Sequence, residues 1–211
     1  LSPHIHNAAF KALGENAVYV PFEVDDFASF ITGCRCFEPG GFSVTIPHKE
    51  RAFQAASQMD DVTRKIGALN TLRIDADRVT GTNTDWKAAV ESVRRALGEG
   101  QSLKNKRLLL LGAGGAARAI AYGFADAGAK ITIANRTHER AVALAAELSC
   151  QAVEWQQRAE VKYDILANST SLGMYPSVDT TPMPAEGLLG GAVVFDAVYN
   201  PRHTRLCLLY T

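Results

Sequence analysis

The sequence has no long apolar run and no excess of charge of either sign. No stretch approaches the roughly 20 consecutive apolar residues that a membrane-spanning helix needs. The 22 lysines and arginines balance the 22 aspartates and glutamates, and no basic stripe is present that could follow a phosphate backbone. No leader of charged, apolar and small residues opens the printed chain. We therefore expect a soluble protein with neither a membrane nor a nucleic acid as its partner.

Cysteine is scarce, and its spacing is typical of neither a disulfide framework nor a zinc site. The cysteines are Cys34, Cys36, Cys150 and Cys207. One C-x-C pair and the H-x-H pair of His4 and His6 could in principle share a metal. Packing residues and surface histidines are the simpler explanation of these pairs. We predict no metal, reduced cysteines and a cytoplasmic location.

Helical and strand-like patterns alternate through the first part of the chain. In order, they predict a helix at 3–13, a β-rich stretch at 17–24, a helix at 27–37, a strand at 41–47, a helix from His48, a short helix in MDDVTRKIGA, and strands TLRID and RVTGTN with a turn near Asp75 to Asp77. Such alternation is typical of an α/β domain, for which we predict a mostly parallel sheet.

The α/β pattern restarts after a predicted helix at 86–97 and a polar, glycine-containing connection, GEGQSLKNK. Strands RLLLLG, KITIAN, YDILANS and AVVFDAV follow, with helices GAARAIAYGFADAG and THERAVALAAELS between the first three. This order is typical of a doubly wound, Rossmann-type sheet. We therefore predict two α/β domains, at 1–88 and at 89–211, the second of them a Rossmann-type domain.

The turn GAGGAAR joins the first strand of the second domain to its helix. Gly112, Gly114 and Ala117 give the pattern G-x-G-x-x-A, in which the first glycine permits a tight turn and the second lets the backbone approach a pyrophosphate at the helix N-terminus. Glycines also make ordinary turns between strands and helices. The correct context on both sides favours dinucleotide binding.

The end of the next strand indicates which dinucleotide is bound. An NAD site usually has Asp or Glu there, roughly 20 residues after the glycines, to accept hydrogen bonds from the ribose. This chain has Asn135-Arg136-Thr137 instead. A guanidinium can bind a 2′-phosphate through paired hydrogen bonds, which a carboxylate would repel. Arg136 could also be a solvated surface residue, but its place at the carboxyl end of a strand favours NADP.

Polar clusters at the ends of elements in the first domain supply candidate catalytic groups. They are Ser43, Thr45 and Lys49 in SVTIPHK, Asn70 and Thr71 in GALNT, and Asn83, Thr84 and Asp85 in GTNTD. One lysine, one aspartate and several neutral hydrogen-bonding groups suit a polyhydroxylated substrate. No serine-histidine-acid order and no metal-ligand motif competes with them.

These clusters belong to a longer series of motifs that resembles the shikimate dehydrogenase family. In chain order the motifs are Leu1-Ser2-Pro3, SVTIPHK, GALNT, NTD, GAGGAAR, NRT, NSTSLGM and FDAVYNP. They extend to about Arg205, so the resemblance covers essentially the whole chain. Several are close to the forms in the dehydrogenase half of plant bifunctional dehydroquinate dehydratase and shikimate dehydrogenase proteins.

The resemblance implies an NADP-dependent, reversible reduction of 3-dehydroshikimate to shikimate, in aromatic amino acid biosynthesis. It implies that Lys49 and Asp85 are the catalytic pair, with the lysine exchanging the proton and the aspartate orienting the lysine. The residues implied in substrate binding are Ser2, Thr45, Asn70 and Tyr199. Those implied in NADP(H) binding are Gly112, Ala113, Gly114, Gly115, Ala116, Asn135, Arg136, Thr137, Asn168, Ser169, Thr170 and Val198.

The chain departs from the family's pattern in three places. The family's first strand and the first serine of its S-x-S-P motif would precede Leu1. A region with a substrate-contacting glutamine and returning helices would follow Thr211. Ser43 replaces the asparagine that is common in bacterial members, as it does in the plant type. Because the printed chain also begins and ends abruptly, we expect the natural protein to continue beyond both ends.

Two other functions are compatible with the motifs. One is a quinate or dual quinate/shikimate dehydrogenase, since quinate differs by an extra hydroxyl at the carbon that bears the carboxylate. The other is a non-catalytic metabolite sensor, which would be expected to lose the Lys49 and Asp85 that this chain keeps. The sequence does not set the oligomeric state, and a homodimer is compatible with it.

Overall fold

The computed structural model of the protein describes residues 1–75, 78–98 and 100–211. Within these residues the chain folds into two compact units, Leu1–Glu38 and Pro39–Thr211. The first unit is helical. All strands of the described residues lie in the second unit, where they form two sheets.

The first unit contains helices α1 (Ser2–Leu13) and α2 (Phe27–Gly33) and a 3-10 turn (Cys34–Phe37). Both predicted helices are thus confirmed. The β-rich stretch at 17–24, however, forms no strand. The Asn7 side chain instead bonds the backbone of Tyr19, accepting from its N–H at 2.7 Å and donating to its carbonyl at 2.9 Å. β-rich residues form a strand only beside another strand, and none among the described residues pairs with this stretch.

The first sheet of the second unit contains short strands among helices. Its elements are β1 (Gly41–Ser43), α3 (Lys49–Ala55), β2 (Gln58–Met59), α4 (Asp61–Ile66), β3 (Thr71–Asp75), β4 (Arg78–Thr82) and α5 (Asp85–Leu97). The strand order is β1-β3-β4-β2. β1 ends at Ser43, whereas the sequence predicted a strand that continues to residue 47. β2 was not predicted from the sequence.

The pairing in this sheet corrects the prediction that it is mostly parallel. β1 with β3 and β3 with β4 are antiparallel, and only β2 with β4 is parallel. The reason is the short connection between β3 and β4, since a parallel pair needs a crossover of about a dozen residues or more. The predicted turn near Asp75 to Asp77 falls largely on 76–77, which lie outside the described residues.

The second sheet has the predicted Rossmann-type arrangement. Its elements are β5 (Arg107–Leu111), α6 (Gly115–Asp126), β6 (Lys130–Ala134), α7 (His138–Glu147), β7 (Gln151–Val153), β8 (Ile165–Asn168), β9 (Val193–Asp196) and the last helix, α8 (Arg205–Tyr210). The order is β7-β6-β5-β8-β9, with every pairing parallel. The predicted strands and helices are confirmed, and β7 is an additional strand that the sequence reading missed.

Strand β5 is the centre of this sheet. Leu108 and Leu110 point into one hydrophobic cluster, while Leu109 and Leu111 point into the cluster on the other face. All four are at most 1% exposed, as expected of a parallel strand covered on both sides. The chain leaves β5 toward β6 and β7, and returns to its other side with β8. A crevice at the carboxyl end of β5 is therefore the place where a ligand is expected.

The helices of the described residues are short or polar in comparison with a membrane span. None of them is both long enough and apolar enough to cross a bilayer.

Candidate active site

A cleft of about 510 Å³ opens at the carboxyl ends of β5, β6 and β8, where the crevice was expected. It is lined by the glycine turn, by the ends of β6 and β8, and by the start of α3. The lining residues are Ile46, Pro47, Lys49, Glu50, Gly112 to Ala116, Asn135, Arg136, Arg140, Trp155 and Ser169 to Leu172. The predicted lysine and most of the predicted dinucleotide-binding residues are thus brought into one cavity.

The glycine turn lies against the loop that follows β8. Gly112 has a φ of 114°, which favours glycine, and a Cβ there would lie 2.5 Å from Ser169 Oγ. The Ser169 hydroxyl donates to the Leu111 carbonyl at 2.8 Å, so the two loops are fixed together. Gly114 precedes α6 and faces open space, with no atom within 4 Å of a Cβ built there. A ligand can therefore approach this backbone and the N–H groups of the first turn of α6.

The end of β6 brings positive charge into the cleft. Asn135 and Arg136 line it, and the Asn135 amide donates to the Thr137 carbonyl at 2.8 Å. Thr137 is not among the lining residues and precedes α7. Arg140, in the first turn of α7, also lines the cleft and pairs with Glu50 Oε1 at 2.9 Å. Arg140 was not predicted from the sequence, although a second basic side chain shortly after Arg136 was an available signal.

The residues after β8 divide into one that supports the loop and others that face the cleft. Ser169 and Thr170 line the cleft, but Asn168 is fully buried. Its amide donates to Asp196 Oδ1 at 2.9 Å, and its carbonyl oxygen accepts from the hydroxyl of Thr170 at 2.7 Å. Asn168 therefore fixes the loop that follows β8 from its buried side.

Asp196, at the end of β9, completes this support. Its Oδ1 accepts from the Val198 N–H at 3.0 Å, and its Oδ2 accepts from the Thr204 hydroxyl at 2.7 Å. The carboxylate thus fixes the segment that contains Val198, which is not itself among the residues lining the cleft. The sequence reading did not single out Asp196, because nothing local indicates that its partners come from two other segments.

Lys49 and Asp85 form the ion pair that the sequence predicted as a catalytic pair. Lys49 begins α3 and Asp85 begins α5, and Lys49 Nζ lies 2.6 Å from Asp85 Oδ2. The side chains are 14% and 29% exposed, respectively. The ammonium group is therefore largely shielded from solvent, yet its side chain still lines the cleft.

Asn70 holds the second oxygen of Asp85. Its amide nitrogen donates to Asp85 Oδ1 and to Thr84 Oγ1, both at 2.8 Å. Its carbonyl oxygen accepts from the Thr84 N–H at 3.1 Å. The antiparallel pairing of β3 and β4 makes this contact, because it places the residue before β3 beside the residues after β4. The two motifs GALNT and GTNTD therefore meet.

Asn83 fixes the same turn from the buried side. Its amide donates to the Ala68 carbonyl at 2.9 Å, and its side-chain oxygen accepts from the Asp85 N–H at 2.9 Å. Asn83 is 5% exposed. Both backbone and side chain of Asp85 are thus held, which leaves the carboxylate little freedom to turn away from Lys49.

The residues that line the cleft do not include four predicted residues of the same unit, Asn70, Asp85, Thr45 and Tyr199. Thr45 is exposed after β1, and its carbonyl accepts from the His48 N–H at 2.9 Å. Tyr199 is 65% exposed. Ser2 is the first residue of α1 and belongs to the other unit.

The cysteine and histidine pairs of the first unit have contacts of their own. The Cys34 thiol is buried, which raises its pKa, and it donates to the Ile31 carbonyl at 3.3 Å. The His6 ring stacks on Tyr19 with the ring centres 4.5 Å apart. Among the described residues, no three His, Cys, Asp or Glu side chains are grouped as a metal site would require.

Comparison with known proteins identifies two family models along the chain. Residues 1–72 match the model described as the shikimate dehydrogenase substrate binding domain, and residues 94–174 match the model described as shikimate / quinate 5-dehydrogenase. The chain is 41% identical over 219 residues to the shikimate dehydrogenase (NADP(+)) of Moorella thermoacetica, covering 97% of this chain and 73% of that protein.

A plant protein and a crystal structure show the same likeness. The chloroplastic bifunctional 3-dehydroquinate dehydratase/shikimate dehydrogenase of Arabidopsis thaliana is 41% identical over 220 residues, which cover 97% of this chain and 36% of the plant protein. A crystal structure of a shikimate dehydrogenase in complex with NADP+ superposes with a TM-score of 0.86 at 37% identity. The superposition covers 98% of this chain and 75% of the chain in the crystal structure.

Proposed function

The chain belongs to the shikimate dehydrogenase family, and we propose that its protein catalyses the reversible, NADP-dependent reduction of 3-dehydroshikimate to shikimate. One observation carries this proposal: Lys49 is bonded to Asp85 and also lines the cleft that the glycine turn forms. A proton-exchanging group therefore stands beside a site suited to a nicotinamide dinucleotide, which is what a reversible ketone reduction needs.

The cleft fits NADP in its shape and in its donor groups. A Cβ built at Gly114 meets no protein atom, so the backbone there is open to a pyrophosphate, and the N-terminus of α6 favours negative charge. Arg136 supplies a guanidinium at the end of β6, in the place where the ribose of the adenosine half binds in this fold. The bound dinucleotide supplies the hydride that the ketone carbon accepts.

Lys49 exchanges with the substrate the proton that accompanies the hydride. In the direction of reduction, its ammonium group donates a hydrogen bond to the ketone oxygen and transfers a proton as that oxygen becomes a hydroxyl. In the direction of oxidation, the neutral amine takes the hydroxyl proton back. Asp85 orients the amine through its 2.6 Å contact, and Asn70 keeps the carboxylate in place through its bond to the other oxygen.

The proposed substrate-binding residues are Asn70, Ser2, Thr45 and Tyr199. Asn70 stands next to the catalytic pair, and a substrate hydroxyl that accepts from its amide would replace the bond to Thr84 Oγ1. Ser2, Thr45 and Tyr199 remain predictions as substrate ligands, as does the division into a substrate domain at 1–88 and an NADP domain at 89–211. A homodimer also remains a prediction. We propose a cytoplasmic location because all four cysteines are free.

Quinate is the second candidate substrate, because the family model that matches residues 94–174 is described for both shikimate and quinate. Quinate carries a hydroxyl on the carbon that bears the carboxylate, where shikimate has a ring double bond and no hydroxyl. A site built to bond a hydroxyl discriminates strongly against a ligand that lacks it, whereas a site without such a group discriminates weakly. The ratio of kcat/KM for the two acids therefore distinguishes the candidates.

The test is the initial rate of nicotinamide reduction, followed by absorbance, with the protein at its full natural length. Shikimate and quinate are each paired with NADP and with NAD. We expect the highest rate with shikimate and NADP, and we expect Lys49→Ala to lower kcat roughly 10²- to 10⁴-fold, the usual contribution of a general acid-base group.

The matched control is Lys130→Ala. Lys130 is an exposed lysine at the first residue of β6, at the end of that strand away from the cleft. This substitution should leave the rate unchanged. Binding of NADP without turnover of either acid would contradict the proposed function, and equal loss in both lysine variants would contradict the role of Lys49.

A further inference from the structure

One face of α6 carries only small residues where the helix packs on the catalytic elements. Gly115, Ala119 and Gly123 are four residues apart, so they lie on the same side of the helix. We call them the small-residue face of α6. The N-terminus of the same helix is the part that borders the cofactor cleft.

The first residue of this face contacts the stem of the catalytic lysine. A Cβ built at Gly115 would lie 2.7 Å from the Cβ of Lys49 and 3.4 Å from that of Ala68. The Gly115 backbone is helical, so its conformation does not require glycine. The glycine is required by space, and this is the opposite of Gly114, where an added Cβ meets nothing within 4 Å.

The other two residues extend the contact to the element that carries Asp85. Ala119 is fully buried in a cluster with Ile66 and Ala68. A Cβ built at Gly123 would lie 3.0 Å from the Trp86 carbonyl oxygen and 3.0 Å from Val90 on α5, the helix that begins at Asp85. The small-residue face thus touches α5 as well as α3.

A hydrogen bond holds the helix in this position. Arg118 Nε donates to the Ile66 carbonyl at 2.6 Å, at the end of α4, and the guanidinium also pairs with Glu147. Gly67 leaves room for this guanidinium, since a Cβ there would lie 2.7 Å from Arg118 Nη2. Sliding or rotation of α6 on the catalytic elements would break this bond.

We propose that the small-residue face of α6 fixes the distance between the bound cofactor and the Lys49–Asp85 pair, and that Gly115 is a positioning residue for Lys49. This inference rests on the proposed function. The helix that holds the dinucleotide at its N-terminus touches the lysine directly through Gly115. Hydride and proton must reach neighbouring atoms of one carbonyl group, and a misplacement of about 1 Å can cost roughly 100-fold in rate.

The test is Gly115→Ala in the protein at its full natural length. Alanine favours a helix more than glycine does, so helix propensity gives no reason for a loss of stability. The added methyl group meets the Cβ of Lys49, which no rotation of the side chain can move, so the start of α3 must shift and carry the lysine with it. We expect kcat to fall roughly 10- to 100-fold while the dissociation constant for NADP is largely unchanged.

Two glycine controls separate this effect from others. Gly190→Ala adds a methyl group that meets nothing within 4 Å, at a position without a positive φ, and should leave the kinetics unchanged. Gly114→Ala adds a methyl group that faces only the cleft, and should weaken NADP binding instead. A loss in Gly115→Ala that follows weaker NADP binding alone would overturn the proposal.

A double variant tests whether the effect acts through the lysine. If Gly115 acts by positioning Lys49, then adding Gly115→Ala to Lys49→Ala should cause little further loss in kcat, whereas a merely structural role predicts the same loss in both backgrounds. Full additivity would therefore overturn the proposal.

A crystal structure of Gly115→Ala gives an answer that does not need turnover. We expect the Lys49 side chain to shift and the Nζ to Asp85 Oδ2 distance to lengthen from 2.6 Å. An unmoved lysine at the original distance would overturn the inference even if the wild-type protein oxidises shikimate. Absence of turnover in the wild-type protein would contradict the proposed function alone, because the displacement is still measured.

Discussion

At the scale of single residues, Arg136 is where we expect the choice between NADP and NAD to be made. Its guanidinium stands at the end of β6 on the wall of the cleft, where a carboxylate would favour NAD. Arg136→Ala should weaken NADP binding roughly 10- to 100-fold, because a charge-assisted hydrogen bond contributes about 1.5 to 3 kcal/mol. The affinity for NAD, which lacks the 2′-phosphate, should not change.

Isothermal titration of both dinucleotides measures this difference. Arg94→Ala is the control, since Arg94 is an exposed arginine in the last turn of α5. Equal weakening of NADP and NAD by Arg136→Ala would show that the residue contacts a part that the two dinucleotides share, and would contradict the prediction.

Candidate site residues could be proposed from the sequence where a short motif indicates their chemistry. The meeting of Lys49 and Asp85 followed from family motifs, and the structure places their charged groups in direct contact. The buried position of Asn168 did not follow, since it depends on Asp196 at the end of another strand. The need for glycine at 115 was also hidden, because it depends on a lysine 66 positions earlier in the chain.

At the scale of elements, β5 and β8 are joined at their amino ends by an ion pair. Asp164, directly before β8, accepts from the Arg107 backbone N–H at 2.8 Å and from its guanidinium at 2.8 Å. These bonds lower the pKa of Asp164 from 3.8 to about 2. The charged carboxylate therefore stabilises the fold above its ordinary pKa, and this contribution is lost as the pH falls from about 4 toward about 2.

We expect Asp164→Asn to lower the free energy of unfolding near neutral pH and to flatten its decline in that acid range. The contribution is about 1 kcal/mol once solvent screening is allowed for, since the pair is partly exposed. Urea unfolding at several pH values measures it, with Asp179→Asn as the control at an exposed position. Parallel pH profiles for wild type and Asp164→Asn would contradict the prediction.

The elements themselves were predicted best where the chain is deeply buried. Strand β5 reads as a continuous apolar run and lies at the centre of its sheet, covered on both faces. The stretch at 17–24 is rich in β-branched and aromatic residues but forms no strand, because β propensity acts only where a neighbouring strand is present. The two-residue strand β2 is too short for any periodicity, and only its parallel contact with β4 defines it.

At the scale of the whole molecule, the fold class and the family followed from the sequence, because the order of motifs constrains both. The pairing of strands in the first sheet did not, since strand and helix alternation alone does not distinguish a crossover from a direct turn. The site itself needs the three-dimensional fold. Its walls come from the glycine turn, the ends of β6 and β8, and the start of α3, which are far apart in the chain.

Because these walls lie within one unit, ligand binding should stabilise that unit as a whole. NADP at 100 times its dissociation constant contributes about 2.7 kcal/mol by mass action. For a chain of this size the midpoint of thermal unfolding should rise by roughly 5 to 10 °C. NAD at the same concentration should raise it less, and Arg136→Ala should remove the difference between the two.

Thermal unfolding followed by circular dichroism, at a series of dinucleotide concentrations, measures this effect without any turnover. The shift should grow with the logarithm of the NADP concentration above the dissociation constant, as binding to the folded state requires. A shift that is the same for NADP and NAD in the wild-type protein would mean that the 2′-phosphate makes no favourable contact. The assignment of the β6 end as the phosphate-binding position would then be wrong, while the glycine turn would remain the dinucleotide site.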